Sequence, residues 1–357
     1  MITAHEQKLA GGFTIGWLTL ALPRTLNALT LDMAVSALQQ LQRWADRRDI
    51  VCVVLNGEGR AFCAGGDVRQ MRQGILDDSG YCEHFFEQEY RLDYALHRYP
   101  KPVLVWGHGI VMGGGLGLFM ACSHRVVTTS TRMAMPEINI GLYPDVGASH
   151  FLNQLPAGLG LFLGITGCEW NAADAIALGM AHFVTEDTEA AQLPALLTTA
   201  AWSDDAANNH AQLTTVLHTL PTSHIPPSLT LHSERIRTAC NDLQTASTDL
   251  PALNIAEPWF QTALHNLRHG CSVTARLVEQ QLQRGQKLSL ADVFRMEWCM
   301  SVQCCRHADF PEGVRAHLVD KDKQPRWRFA DIADVPAAYI DKHFQLPAAF
   351  NPLDDLA

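Results

Sequence analysis

Short apolar runs at residues 13–21 (FTIGWLTLA) and 50–56 (IVCVVLN) are β-rich and read as strands. Between them Leu31, Ala34, Val35, Leu38, Leu41 and Ala45 recur at helical spacing over 31–47. Strand, helix, strand predicts a parallel pair joined by a crossover. The pattern then repeats. Residues 103–106 predict a strand, a glycine-rich turn follows, and a helix is expected over about 115–121, with a third strand at 125–129. Asn171 is placed to cap a helix that Gly179 would end.

The chain changes character near residue 190. Residues 186–250 are rich in Ala, Thr, Leu, Asp and His and contain the stretch LPTSHIPPS (220–228). Residues 272–306 are mostly helix-forming, and a mixed-charge segment, VDKDKQPRWRF, follows at 319–329. The expected organisation is an α/β core over 1–190 and a mainly helical C-terminal region, 191–357, packed on it.

Composition narrows the classes. A hydrophobic fraction of 47% and a charged fraction of 18% over 357 residues describe an ordinary globular protein. With 27 Lys and Arg against 37 Asp and Glu the net charge is −10, so no general field attracts nucleic acid or an anionic membrane. A phosphate-bearing ligand must be held by a local basic patch or by backbone N–H groups. No apolar run is long enough to span a bilayer, and residues 1–12 lack a basic segment followed by an apolar one. The ten cysteines lie among apolar neighbours with no CxxC pair, which predicts buried free thiols in a reducing compartment, by default the cytoplasm.

The sequence has no GxxxxGK[ST] loop, no HExxH and no GxSxG elbow. It has two glycine-rich segments instead, GRAFCAGGDVRQM (59–71) and GHGIVMGGGLGL (107–118), each directly after a predicted strand. Either could be a tight turn that needs small residues. Two such turns at strand ends of one sheet can also aim two N–H groups at one oxygen, which makes an oxyanion hole.

LPRTLNAL (22–29), GRAFCAGGD (59–67), HGIVMGGGLG (108–117) and MPEINIGLYPDVG (135–147) together resemble the enoyl-CoA hydratase/isomerase (crotonase) superfamily. The resemblance implies a ClpP-like ββα spiral core binding an acyl-CoA. Gly66 and Gly114 would be the oxyanion donors, and Arg24, Leu26, Ala64, Gly65, Asp67 and Val68 would touch CoA. By the residues alone, Arg24 reads equally well as a solvated arginine.

Within the family, hydration uses two carboxylates, the first of them three residues after the middle glycine. Here that position is Gly117, which cannot move a proton, while Glu137 keeps the second and Asp145 adds a carboxylate eight residues on. That exchange, together with IGLYPDVGASHFL, GLFLGITG and DFPEGVRAHLVDKDKQPRW (309–327), resembles the branch that hydrolyses 3-hydroxyisobutyryl-CoA. The resemblance implies Glu137 and Asp145 as catalytic groups and Glu89, in FFEQEY, as a substrate contact. It also implies no metal and no cofactor beyond the CoA of the substrate. Trimers or hexamers are the family's usual assemblies. Without the family, Asp145 reads as a helix N-cap, Glu137 as a first-turn residue and Glu89 as a solvated helix glutamate. Double-bond isomerisation with Glu137 as sole base, and acyl-CoA binding without catalysis, are the other functions these residues allow.

Overall fold

A hairpin opens the chain in the computed structural model, which describes residues 1–357: β1 (Ile2–Lys8) pairs antiparallel with β2 (Thr14–Leu20). β1 is largely exposed and polar, which suits a sheet edge, whereas β2 is almost wholly buried. The helix α1 (Leu31–Ala45) then leads to β3 (Ile50–Gly57), parallel to β2 as the pattern requires. Met33, Ala34, Ala37, Leu38, Leu41 and Trp44 form the buried stripe of α1. The Thr30 side chain caps α1, accepting from the Met33 N–H at 3.2 Å. Thr30→Ala is expected to cost about 1 kcal/mol, read as a lower urea midpoint with an unchanged slope.

From β3 onward a long-sheet strand is followed by a short one and then by helix. β3 leads to β4 (Ala61–Cys63), α2 (Val68–Leu76) and α3 (Tyr81–His97); β5 (Val103–Gly107) leads to β6 (Ile110–Met112) and α4 (Gly114–Met120). β7 (His124–Thr128) and β8 (Arg132–Ala134) start a third round, and β9 (Trp170–Asn171) and β10 (Phe183–Thr185) complete the sheets. The six-stranded sheet runs β1-β2-β3-β5-β7-β10 and the four-stranded one β4-β6-β8-β9. This is the expected ββα spiral. Asn171 opens the helix Ala172–Ala177 with a full capping box to Asp174, and Gly179 follows at φ +69°.

Packing divides the chain into two units, neither of them continuous in sequence. The first holds residues 1–66, 91–133 and 170–231; the second holds 67–90, 134–169 and 232–357. A boundary at residue 190 therefore does not follow the packing. The reason lies in the sheet. Ile15, Trp17, Cys52, Val54, Leu104, Trp106 and Val126 form an apolar surface that must be covered, and Leu193, Leu197, Leu213, Leu217 and Leu220 pack on it. The chain just after residue 190 thus completes the core of the first unit. In the second unit the helix Leu159–Thr166 is buried on every side, its Phe162 ring stacked on Phe260 at 6.3 Å. The helix-forming stretch 272–306 holds two helices, Ser272–Gly285 and Leu290–Cys305, the second capped by Ser289. All ten cysteines are free and buried, as the apolar neighbours predicted. No helix is long and apolar enough to cross a membrane.

Candidate active site

In the first unit the two glycine-rich turns meet. Gly65 has φ +105°, and a Cβ built on it would lie 3.5 Å from the Gly114 nitrogen and 3.3 Å from the Met112 carbonyl oxygen. A Cβ on Gly115 would sit 2.4 Å from the Cys63 carbonyl oxygen, so these backbones approach as only glycine permits. Gly114 is the first residue of α4, and its N–H has no intrahelical acceptor. Gly66 follows β4 and bridges Leu29, whose N–H donates to the Gly65 carbonyl at 2.8 Å.

The LPRTLNAL segment is locked against the same turn. Leu26 and Asn27 both take left-handed backbone, at φ 56° and 57°, which side-chain-bearing residues rarely adopt. The Asn27 side chain holds the conformation. Its amide donates to the Glu58 and Ala61 carbonyls at 2.9 and 2.8 Å, and its oxygen accepts from the Leu22 N–H at 2.8 Å. The Ala64 N–H donates to the Leu26 carbonyl at 3.0 Å, so Leu26, Ala64 and Gly65 are brought together. Such strain is characteristic of ligand-binding turns. Arg24 is exposed and without an ion pair. Asp67 caps α2 through a bond from the Gln70 N–H, and Val68, half-buried, is the first residue of that helix.

The three carboxylates belong to the second unit. Glu89, Glu137 and Asp145 are only 2%, 5% and 4% exposed, so none is a solvated side chain. Glu137 starts a short 3-10 turn after β8, and its Oε2 is buried with no hydrogen-bond partner. Burial pushes its carboxyl well above the usual range, and the nearby Asp145 charge adds to the shift against a bond from its own backbone N–H. Asp145 does not cap the helix Ala148–Phe151; Gly147 occupies that position. Its Oδ2 instead accepts from the Tyr90 hydroxyl at 2.7 Å. Burial raises the Asp145 carboxyl to about 6, against the pull of the Tyr90 bond. Of the two, Asp145 has the donor that favours its ionised form, and its charge adds to the upward shift of Glu137.

A support for Asp145 that the sequence does not announce comes from the helix Leu290–Cys305. Tyr90 spends its proton on Asp145 and also touches Ser301 Oγ at 2.6 Å. Ser301 touches the Tyr143 hydroxyl at 2.9 Å, and Tyr143 donates to the Glu297 carbonyl at 2.6 Å. Glu297 is fully buried, and its two oxygens accept from the Gly147 N–H at 2.7 Å and the Ser149 N–H at 2.9 Å. Burial still holds its pKa up at about 8. Between Asp145 and Gly147, Val146 sits at φ 52°, a strained position for a β-branched residue. Glu297 clamps the turn just beyond that strain. One signal did exist: Glu297 is a lone carboxylate in the otherwise apolar run MEWCM.

Tyr90→Phe tests the Asp145 contact. Losing a hydrogen bond to a charged group costs about 1.5–3 kcal/mol. The variant should therefore lose roughly ten- to a hundredfold in kcat at pH 7, with KM little changed. The acidic limb of its pH profile should move upward, because Asp145 loses the donor that lowers its pKa.

No group of three or more His, Cys, Asp or Glu side chains is placed to hold a metal ion. His108 and His150, which flank the motifs, bond through Nε2 to the Gly59 carbonyl and the Gln154 side chain.

A model of the enoyl-CoA hydratase/isomerase family matches residues 15–344. The human mitochondrial 3-hydroxyisobutyryl-CoA hydrolase is 35% identical over 96% of this chain and 89% of its own length. A crystal structure of a carnitinyl-CoA dehydratase from Mycobacterium thermoresistibile has a TM-score of 0.86 at 29% identity, covering 98% of both chains. A crystal structure of an enoyl-CoA hydratase from Rhodobacter sphaeroides 2.4.1 has a TM-score of 0.83 at 30% identity, covering 96% of both. With its spiral of ββα turns, its facing glycine loops and nearly its whole length matched, this chain belongs to the enoyl-CoA hydratase/isomerase (crotonase) family.

Proposed function

We propose that the chain hydrolyses a short β-hydroxyacyl-CoA thioester, 3-hydroxyisobutyryl-CoA first among them, to 3-hydroxyisobutyrate and CoA in valine catabolism. The observation that carries this reading is Glu137: a buried carboxylate oxygen with no internal partner, where the hydratase carboxylate at position 117 is replaced by glycine. The hydrolase name and 35% identity of the human relative support it.

In this reading the Gly66 and Gly114 N–H groups hold the thioester carbonyl oxygen as it gains charge. Glu137 attacks the carbonyl carbon, the carbon–sulfur bond breaks, and CoA leaves as a thiolate that takes a proton. Water then cleaves the mixed anhydride and restores Glu137. In the alternative route Glu137 takes a proton from a water that attacks directly. Asp145 positions the water or carries the proton in either route, and Glu89 accepts a hydrogen bond from the 3-hydroxyl. Arg24, Leu26, Ala64, Gly65, Asp67 and Val68 hold the CoA. CoA enters as part of the substrate, and the reaction draws on no further cofactor. The ten free thiols suit a reducing compartment, which we take to be the cytoplasm. The mitochondrial name belongs to the human relative. Trimers or hexamers are the assemblies to look for by light scattering.

Free thiol measured across a panel of acyl-CoA thioesters tests the reading. Hydrolysis releases thiol, most rapidly from β-hydroxyacyl thioesters. Isomerisation moves a double bond and releases none. Binding without turnover on every thioester would mark a non-catalytic acyl-CoA protein.

A further inference from the structure

The second unit contains a cavity of about 610 Å³ beside the end of the helix Pro258–His269. Its walls carry His265, Arg268, His269, His317, Lys323 and Trp327, and no carboxylate. Its formal charges at pH 7 are those of Arg268 and Lys323, both positive, in a chain of net charge −10. Five other arginines of this unit are neutralised: Arg276, Arg284, Arg295, Arg306 and Arg315 each pair with a carboxylate. Arg268 and Lys323 have no such pair. The nearest acid in sequence, Asp322, is bound to Arg315.

The cavity walls are also fixed in place. Trp327 is half-buried and donates its indole N–H to the His269 carbonyl at 2.9 Å, while the His265 and His269 rings lie 4.5 Å apart. The Lys323 N–H is tied back to the Ala316 carbonyl at 3.0 Å, with Lys323 at φ 56°. Unpaired cations around a concave site focus potential on a bound anion. The volume falls within the range of small-molecule sites and exceeds what a single phosphate needs. An indole in the wall adds a surface on which a flat ring can stack.

We propose that this cavity binds a phosphorylated molecule of nucleotide size, its phosphates held by Arg268 and Lys323 and its base placed against Trp327. The inference stands on the cavity alone and does not depend on which thioester reaction the enzyme performs. Two sources share this chemistry: a free nucleotide, and the nucleotide end of CoA.

Calorimetric titration of the full-length protein with ADP at low ionic strength tests the proposal. ADP is expected to bind, and more weakly as salt rises. The double variant Arg268→Gln/Lys323→Gln should lose at least tenfold in affinity. Lys287→Glu removes the same net charge at an exposed position away from the cavity and should stay within twofold of wild type. Thermal melts confirm that the variants are folded. Repeating the titration with saturating CoA separates the sources: ADP excluded by CoA assigns the site to the CoA nucleotide, and ADP still bound assigns it to a free nucleotide. No ADP binding by the wild type, or equal affinity in the double variant and Lys287→Glu, overturns the proposal. Thiol release assayed on the same samples reports separately on the hydrolase reading.

Discussion

Glu137→Gln is expected to lower kcat by roughly 10²–10⁴-fold, with acyl-CoA binding changed little, because the amide can neither attack nor take a proton. The same substitution should stabilise the fold. Glu137 has a folded pKa raised well above its ordinary value of 4.5. Its contribution to stability is therefore fully present below pH 4.5 and is lost as pH rises through the folded pKa. At pH 7–8 the wild type carries the cost of this burial, and glutamine relieves it. The gain should be largest at pH 8 and should shrink towards pH 4, where wild-type Glu137 is protonated in both states. Denaturant melts at pH 4 and pH 8 measure it. The wild-type kcat/KM should also fall on acidification at a pH well above the ordinary carboxylate range, since burial raises both Glu137 and Asp145. A variant that is inactive and no more stable at pH 8 would contradict the burial account.

Glu297→Ala should produce the largest loss of stability, about 2–4 kcal/mol at pH 5, because two buried N–H groups, of Gly147 and Ser149, are left without acceptors. Glu297 also has a raised pKa, about 8. Its protonation-linked stability is present below pH 4.5 and is lost as pH rises through about 8, so the destabilisation should be smaller at pH 9 than at pH 5. Activity should fall as well. Val146 has left-handed backbone beside the clamped turn, and removing the clamp is expected to relax it and shift Asp145. Glu297→Gln retains one acceptor oxygen and should recover part of both losses. A purely structural role would restore stability in that variant without restoring kcat.

These two residues mark how far the sequence could be read. The strands and helices around the glycine loops are local features: alternation, spacing and capping residues lie within a few positions of one another, and α1 and β3 form where they should. The short strands β4, β6 and β8 gave little periodic signal, since three residues cannot show a period. Glu137 and Asp145 could be singled out as candidates because motif and chemistry coincide in a single loop. Tyr90, Ser301 and Glu297 were not. Tyr90 lies 55 residues from Asp145 in sequence, and Ser301 lies 211 from Tyr90, so only folding places them together. The division near residue 190 follows a real change in composition. Leu193 to Leu220 nevertheless complete the first unit, because an apolar sheet face takes whatever helix can cover it. Asp67 carries a further lesson, since a motif residue expected at CoA is also the N-cap that starts α2.

The central claim is that Glu137, whose buried Oε2 has no hydrogen-bond partner, cleaves a thioester. Its most direct test measures free thiol and free acid together, for wild type and Glu137→Gln, on 3-hydroxyisobutyryl-CoA. The account predicts equal moles of thiol and 3-hydroxyisobutyrate from the wild type, and a rate reduced at least a hundredfold in the folded variant. Thiol release by Glu137→Gln at the wild-type rate, or conversion of the thioester without thiol release, would contradict it.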